Sequence, residues 1–182
     1  MSRIPSHTIA DAPAAARPLL QDMLQFSPTG RPLNLHAQLA HAPAVLAAYV
    51  GIRRATAQPG TLDQATRTAL LVAAATVSES RYAQTILGTL AIRSGWRTDQ
   101  VAALLAGKDL GEARADALIG VIREAAAQHG RVAEHTWATA LGAGWTDQQL
   151  AEAYGYLGLA VFTANFLNYA DTDLDIPAVA AV

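Results

Sequence analysis

The chain has no cysteine. Its 182 residues therefore offer no disulfide, no thiolate nucleophile and no Cys-ligated metal. Charge is scarce as well: 15% of residues are Asp, Glu, Lys or Arg, against roughly 25% in an average soluble domain. The 13 basic and 15 acidic residues give a net charge of −2. The basic residues are scattered, without the stripe that a nucleic-acid partner calls for. Long apolar runs are missing too. Ala69 to Ala75 is among the longest, far short of the roughly 20 residues that span a bilayer, so no membrane partner is expected. The opening MSRIPSHTIADAP has no apolar signal core, and a cytoplasmic protein is the default expectation.

What the chain does have is apolar bulk, 52% of residues, much of it alanine, the best helix former. Apolar residues recur at helical spacing, and no segment alternates with period two over a useful length. The expectation is an all-α bundle of roughly eight helices in a single domain, covering 1–182, with 1–10 an N-terminal arm and 172–182 a C-terminal tail. A first helix is expected to start near Arg17, and Ser27 to Pro32 reads as a loop. Asn34 is placed to cap a short helix, and Pro43 to start the next, with Val45, Leu46, Tyr49 and Val50 on one face and Arg53-Arg54 at its negative end. A central helical hairpin follows, from Arg67 to Trp96, broken at Ser78-Glu79-Ser80 and ended by Gly95. Further helices are expected over 112–128, 132–141 and 147–171. The last is apolar on nearly all sides, as a helix is when it is central or sandwiched between subunits. Low charge and surplus apolar surface predict a homo-oligomer, whether dimer, trimer or hexamer.

A short repeat stands out. Gly95-Trp96-Arg97-Thr98-Asp99-Gln100-Val101-Ala102 resembles Gly144-Trp145-Thr146-Asp147-Gln148-Gln149-Leu150-Ala151. In each a Gly is read as closing one helix, a Trp as packing in the turn and a Thr as capping the next helix. The repeat is equally compatible with duplication and with convergent capping.

The Arg67–Gly95 hairpin, the lead-in from Ala16 to Ala55 and the late NFLNYAD resemble the carboxymuconolactone decarboxylase / alkylhydroperoxidase D-like (AhpD-like) superfamily. The usual pattern of that superfamily has a Glu on the first helix, C-x-x-C at the start of the second, a His four residues later, and an A-x-x-x-G helix end. Aligned on Gly95, the Glu position falls on Thr68, the Cys positions on Ser80 and Ala83, and the His position on Leu87. Tyr82 matches the Tyr often found between the cysteines. The resemblance implies an AhpD-like helical fold and withdraws the redox chemistry. A hydroxyl at Ser80 neither ionises usefully near neutrality nor cycles through a disulfide, and Leu87 cannot carry a proton.

Near that face remain Glu79, Arg81 and Tyr82, at a helix N-terminus that could hold an anionic group. The plainer reading makes Ser80 a cap, Arg81 a solvated cation and Tyr82 core. His135, beside Glu134, is a candidate acid–base group. His36 and His41 are five apart and His129 and His135 six apart, which disfavours a shared metal site, so no metal and no cofactor are expected. His7 reads as solvated in the arm, and Asp171, Asp173 and Asp175 as a solvated tail without the Gly and Glu of a calcium loop. Two functional readings follow. One is an oligomeric scaffold that has lost thiol peroxidase and disulfide reductase chemistry but binds a small molecule or a partner. The other is a non-redox lyase or isomerase acting on a small carboxylate or lactone.

Overall fold

The computed structural model describes residues 2–27 and 30–175. Among these the fold is all-α, as expected, with nine α-helices and no strand. They are α1 (Arg17–Met23, continued by a 3₁₀ turn over Leu24–Phe26), α2 (Asn34–Leu39), α3 (Pro43–Ala57), α4 (Gln64–Val77), α5 (Arg81–Arg93), α6 (Thr98–Leu105), α7 (Ala113–Ala127), α8 (Glu134–Gly142) and α9 (Asp147–Ala170). Helix α4 is the hub. It packs on α5, α6, α7 and α9, while α9 also covers α3, α5 and α7. Burial of Leu70, Val72, Ala73, Ala74 and Ala75 around α4 follows from its small, all-round apolar surface. Small residues let four neighbours approach one axis closely.

The helix ends follow from local chemistry. Asp63 caps α4, accepting the Thr66 amide at 2.7 Å, and Ser80 caps α5 through the Ala83 amide at 3.4 Å. Pro43 opens α3. Gly95 and Gly144 follow α5 and α8 with φ of 106° and 87°, a left-handed conformation that suits glycine. At Gly60 the reason is space: a Cβ there would collide with the carboxylate of Glu152. That carboxylate accepts the Thr61 amide and hydroxyl, both at 2.6 Å, the Leu62 amide at 3.3 Å and the Tyr156 hydroxyl at 3.3 Å, so it fastens the α3–α4 loop to α9.

The short repeat extends well beyond eight residues. Trp96 donates its indole N–H to Ala65 O at 2.8 Å, and Trp145 donates to Arg114 O at 2.7 Å, each across 31 residues. The first residues of α4 and α7, the last of α5 and α8, and the first of α6 and α9 are all separated by the same 49 residues. The two units, α4–α5–α6 and α7–α8–α9, thus share one construction. Their caps differ from expectation at one point. Thr146 caps α9, with Gln149 answering at 3.1 Å, but Arg97 rather than Thr98 occupies the cap of α6, and Gln100 Oε1 accepts the Arg97 amide at 3.2 Å. Thr98 falls one residue later because the Gly-Trp register, not the Thr, sets the start.

Three further expectations change. Asn34 is the first residue of α2 and not its cap. The Asn34 amide is accepted by Asp175 Oδ2 at 2.7 Å, so a carboxylate from the far end of the chain closes that helix. The aspartate tail is accordingly docked by hydrogen bonds, although Asp171, Asp173 and Asp175 stay exposed. Thr172 donates to Gln38 Oε1 at 2.6 Å, and Asp173 accepts the Ser2 amide and hydroxyl, both at 3.0 Å. The arm is fastened as well. The Arg3 amide donates to Ala170 O at 2.7 Å, and His7 stacks on His41, with Nε2 to Nδ1 at 3.0 Å. The readings for Pro28, Thr29 and 176–182 lie outside the described residues. No helix among the described residues is long and apolar enough to cross a membrane.

Candidate functional site

Three helices, α2, α3 and α5, build much of the wall of one largely apolar cavity. Helix α2 contributes His36, 2% exposed. Helix α3 contributes Tyr49 and Arg53, one turn apart and therefore on one face. Helix α5 contributes Ala83 and Leu87. The cavity measures about 290 Å³, at the small end of the roughly 300–1,000 Å³ usual for ligand sites. Its remaining wall is mostly apolar, including Leu33, Leu71, Leu90 and Leu159, with Gln25, Arg93 and Thr163 as further polar residues, and no Asp or Glu lines it.

The polar cluster is built in sequence along the wall. His36 Nε2 lies 3.4 Å from the Tyr49 hydroxyl, with ring centroids 5.5 Å apart. Phe162 backs Tyr49 from α9, centroids 6.3 Å apart. The Arg53 guanidinium stacks over the Phe26 ring at 3.8 Å. Four buried side-chain nitrogens have no hydrogen-bond partner among the described residues, and two of them, His36 Nδ1 and Arg53 Nε, belong to residues that line this cavity. Buried polar atoms are nearly always paired, so unpaired ones at a cavity wall mark a place for a ligand atom or water.

Electrostatics fix the protonation states. Burial, with the Arg53 charge beside it, lowers the pKa of His36 to about 3. Burial raises Tyr49, and Arg53 opposes that rise. At neutral pH the cluster is therefore one neutral imidazole, one neutral phenol and one permanent cation. In the tautomer in which Tyr49 donates to Nε2, the ring proton sits on Nδ1 and is available to an acceptor.

The sequence-derived positions separate. Of the superfamily-pattern positions, Ala83 and Leu87 line the cavity. Thr68 is buried beside an adjoining recess, its hydroxyl donating to Gln64 O at 2.8 Å. Ser80 is a buried cap. Glu79, with φ 51°, and Arg81 are exposed at the α4–α5 turn. Tyr82 is buried and donates to Asp175 Oδ1 at 2.5 Å. His135 is exposed on α8 next to Thr136, at 3.4 Å. None of Glu79, Arg81, Tyr82 and His135 lines the cavity. The residues that carry most of its polarity, His36, Tyr49 and Arg53, were legible only as a histidine off metal-site spacing, an apolar-face residue and a helix-end charge. The available signal was Arg53 continuing the apolar Leu46–Tyr49–Val50 face by one turn. Among the described residues no three His, Asp or Glu side chains gather to hold a metal.

No family model matches the chain, and no curated protein matches it in sequence. Solved structures do match over nearly its whole length. The alkylhydroperoxidase AhpD core of an uncharacterized peroxidase-related protein from Ralstonia eutropha JMP134 superposes with a TM-score of 0.82 at 18% identity, over 96% of this chain and 92% of that one. A cysteine-to-alanine variant of the debrominase Bmp8, in complex with 2,3,4-tribromopyrrole, gives 0.78 at 13% identity, over 96% and 92%. An uncharacterized peroxidase-related protein from Silicibacter sp. TM1040 gives 0.72 at 15% identity, over 95% and 94%. At these identities the likeness establishes the fold: AhpD-like, in a chain without cysteine.

Proposed function

We propose that this AhpD-fold protein has lost thiol peroxidase and disulfide reductase chemistry and works as a binding protein for a small, largely apolar molecule held in the cavity of His36, Tyr49 and Arg53. The observation that carries the reading is the pair of unpartnered buried nitrogens, His36 Nδ1 and Arg53 Nε, in residues lining a mostly apolar cavity. The debrominase of the same fold was solved with a halogenated pyrrole, and a ring of that size and character suits this cavity. Absence of cysteine removes the thiolate on which peroxide or disulfide reduction would run.

Binding is preferred over a lyase or isomerase acting on a small carboxylate or lactone because of the protonation states. General acid–base work at neutral pH calls for a group that titrates near neutrality. His36 lies near 3, and Tyr49 lies above its ordinary value. The assembly that goes with this reading is a homo-oligomer formed through α9, whose segment 153–170 is uncharged and exposes Tyr154 and Tyr169 by 65% and 73%.

The test is a thermal-shift series with small halogenated and alkylated rings, on the wild type and on two cavity-filling variants, Leu87→Trp and Leu90→Phe. The wild type is expected to gain stability and the filled variants to gain less. An equal response in all three proteins would sink the reading. Reduction of peroxides with a dithiol donor above the buffer rate would overturn the loss of redox chemistry. Light scattering showing a monomer at micromolar concentration would remove the oligomer.

A further inference from the structure

Beyond Arg53 the cavity has a neighbour. A second recess of about 400 Å³, open to solvent, shares with it Phe26, Arg53, Leu71, Leu90, Arg93 and Leu159. The two spaces therefore adjoin, and the stacked Arg53–Phe26 pair belongs to the wall of both. The outer recess adds Arg67 from α4. No Asp or Glu lines either space.

The three arginines are left uncompensated. None of Arg53, Arg67 and Arg93 forms an ion pair among the described residues, whereas Arg54, one residue on, pairs with Asp22 at 2.6 Å and Arg97 pairs with Asp99 at 2.8 Å. Arg67 donates Nε to Leu62 O at 2.6 Å, which holds it in place without neutralising it. Thr68, beside it, turns its hydroxyl to its own helix. A protein with net charge −2 thus carries three unpaired cations around one opening. Unpaired guanidinium groups next to a mostly apolar chamber match a molecule with one acidic end and one apolar end, since a carboxylate accepts two parallel N–H bonds from one guanidinium.

We infer that the ligand is an amphipathic acid, a carboxylate on an aliphatic or aromatic body, with its acid group held at Arg53 and Arg93 in the opening and its body in the cavity beside Leu87 and Leu159. This rests on the cavity-binding reading and adds to it the charge and the orientation of the ligand. Arg67 supplies the field at the mouth that draws an anion in.

Titration calorimetry of the full chain with decanoate and with 1-decanol tests it. The two probes share a body and differ in the acid group. Decanoate is expected to bind more tightly than 1-decanol by about tenfold or more. Arg53→Gln is expected to abolish that preference, and the surface variant Arg93→Gln to reduce it without a folding defect. Equal affinity for the two probes, or a preference that survives both substitutions, overturns the inference and leaves the cavity-binding reading standing. Neither probe binding while small neutral rings still stabilise the protein likewise overturns the acid alone. Neither probe binding together with a flat ring response overturns both.

Discussion

The hydroxyl of Tyr82 donates to Oδ1 of Asp175 at 2.5 Å, across 93 residues of chain, while Oδ2 of the same carboxylate accepts the Asn34 amide at 2.7 Å. One carboxylate thus ties the tail to the starts of both α5 and α2. Tyr82→Phe keeps the buried ring and removes the donor. Asp175 is exposed and regains water, so the expected loss is about 1 kcal/mol. It would be read as a lower urea midpoint with unchanged slope, together with faster proteolysis within 171–175. An unchanged midpoint would show that the tail adds nothing to the seating of α5.

Glu152 gives an acid-side dependence. Burial alone would raise its pKa, but donors from Thr61, Leu62 and Tyr156 together outweigh burial and lower it below the ordinary 4.5. A depressed carboxylate contributes stability that is full above the unfolded value and fades as the pH falls through the folded one. Glu152→Gln is expected to cost about 1–2 kcal/mol at pH 7. The gap between the variant and the wild type should close as the pH drops below 4.5. A gap that stays constant with pH would refute the assignment.

His36 acts through the opposite state. Its folded pKa of about 3 lies below the ordinary 6.5, so below 6.5 the unfolded chain takes up a proton that the folded chain refuses. Stability should therefore fall as the pH is lowered from 6.5 toward 3, by up to about 1.4 kcal/mol per pH unit from this residue. His36→Gln should flatten that part of the profile relative to the wild type. Parallel profiles would show that His36 is protonated in the folded protein.

The two tryptophans make a matched pair. Trp96→Phe and Trp145→Phe each remove an indole N–H from a carbonyl 31 residues upstream, at an expected cost of about 1 kcal/mol apiece. Trp145 should cost more, because it is 8% exposed and Arg114 stacks on its face at 4.4 Å. Equilibrium denaturation of both variants checks the order.

Much of the frame was legible in the sequence because local chemistry set it. Pro43 started a helix, Ser80 capped one, Gly95 ended one, and the break at Ser78-Glu79-Ser80 divided the central hairpin. The Thr98 cap failed because the repeat register puts Arg97 at that point. The docked tail could not be read, since Asp175 is bonded to Asn34 and Tyr82, contacts that only the tertiary fold creates. The site was hidden for a similar reason. His36 and Tyr49 come from different helices, and Arg53 near the end of α3 looks like a helix-dipole residue until Phe26, from the 3₁₀ turn after α1, is seen under it.

The 49-residue correspondence gives the molecule a built-in control for its own mutagenesis. Arg67 and Arg93 of the first unit fall on Asp116 and Gly142 of the second, and Leu87 falls on Thr136. The second unit repeats the framework of the first without its arginines at these two positions. A substitution at the mouth can thus be matched by one at the corresponding position, on the same kind of helix and next to the same Gly-Trp turn. Effects common to both report on the framework, and effects confined to the first report on the ligand.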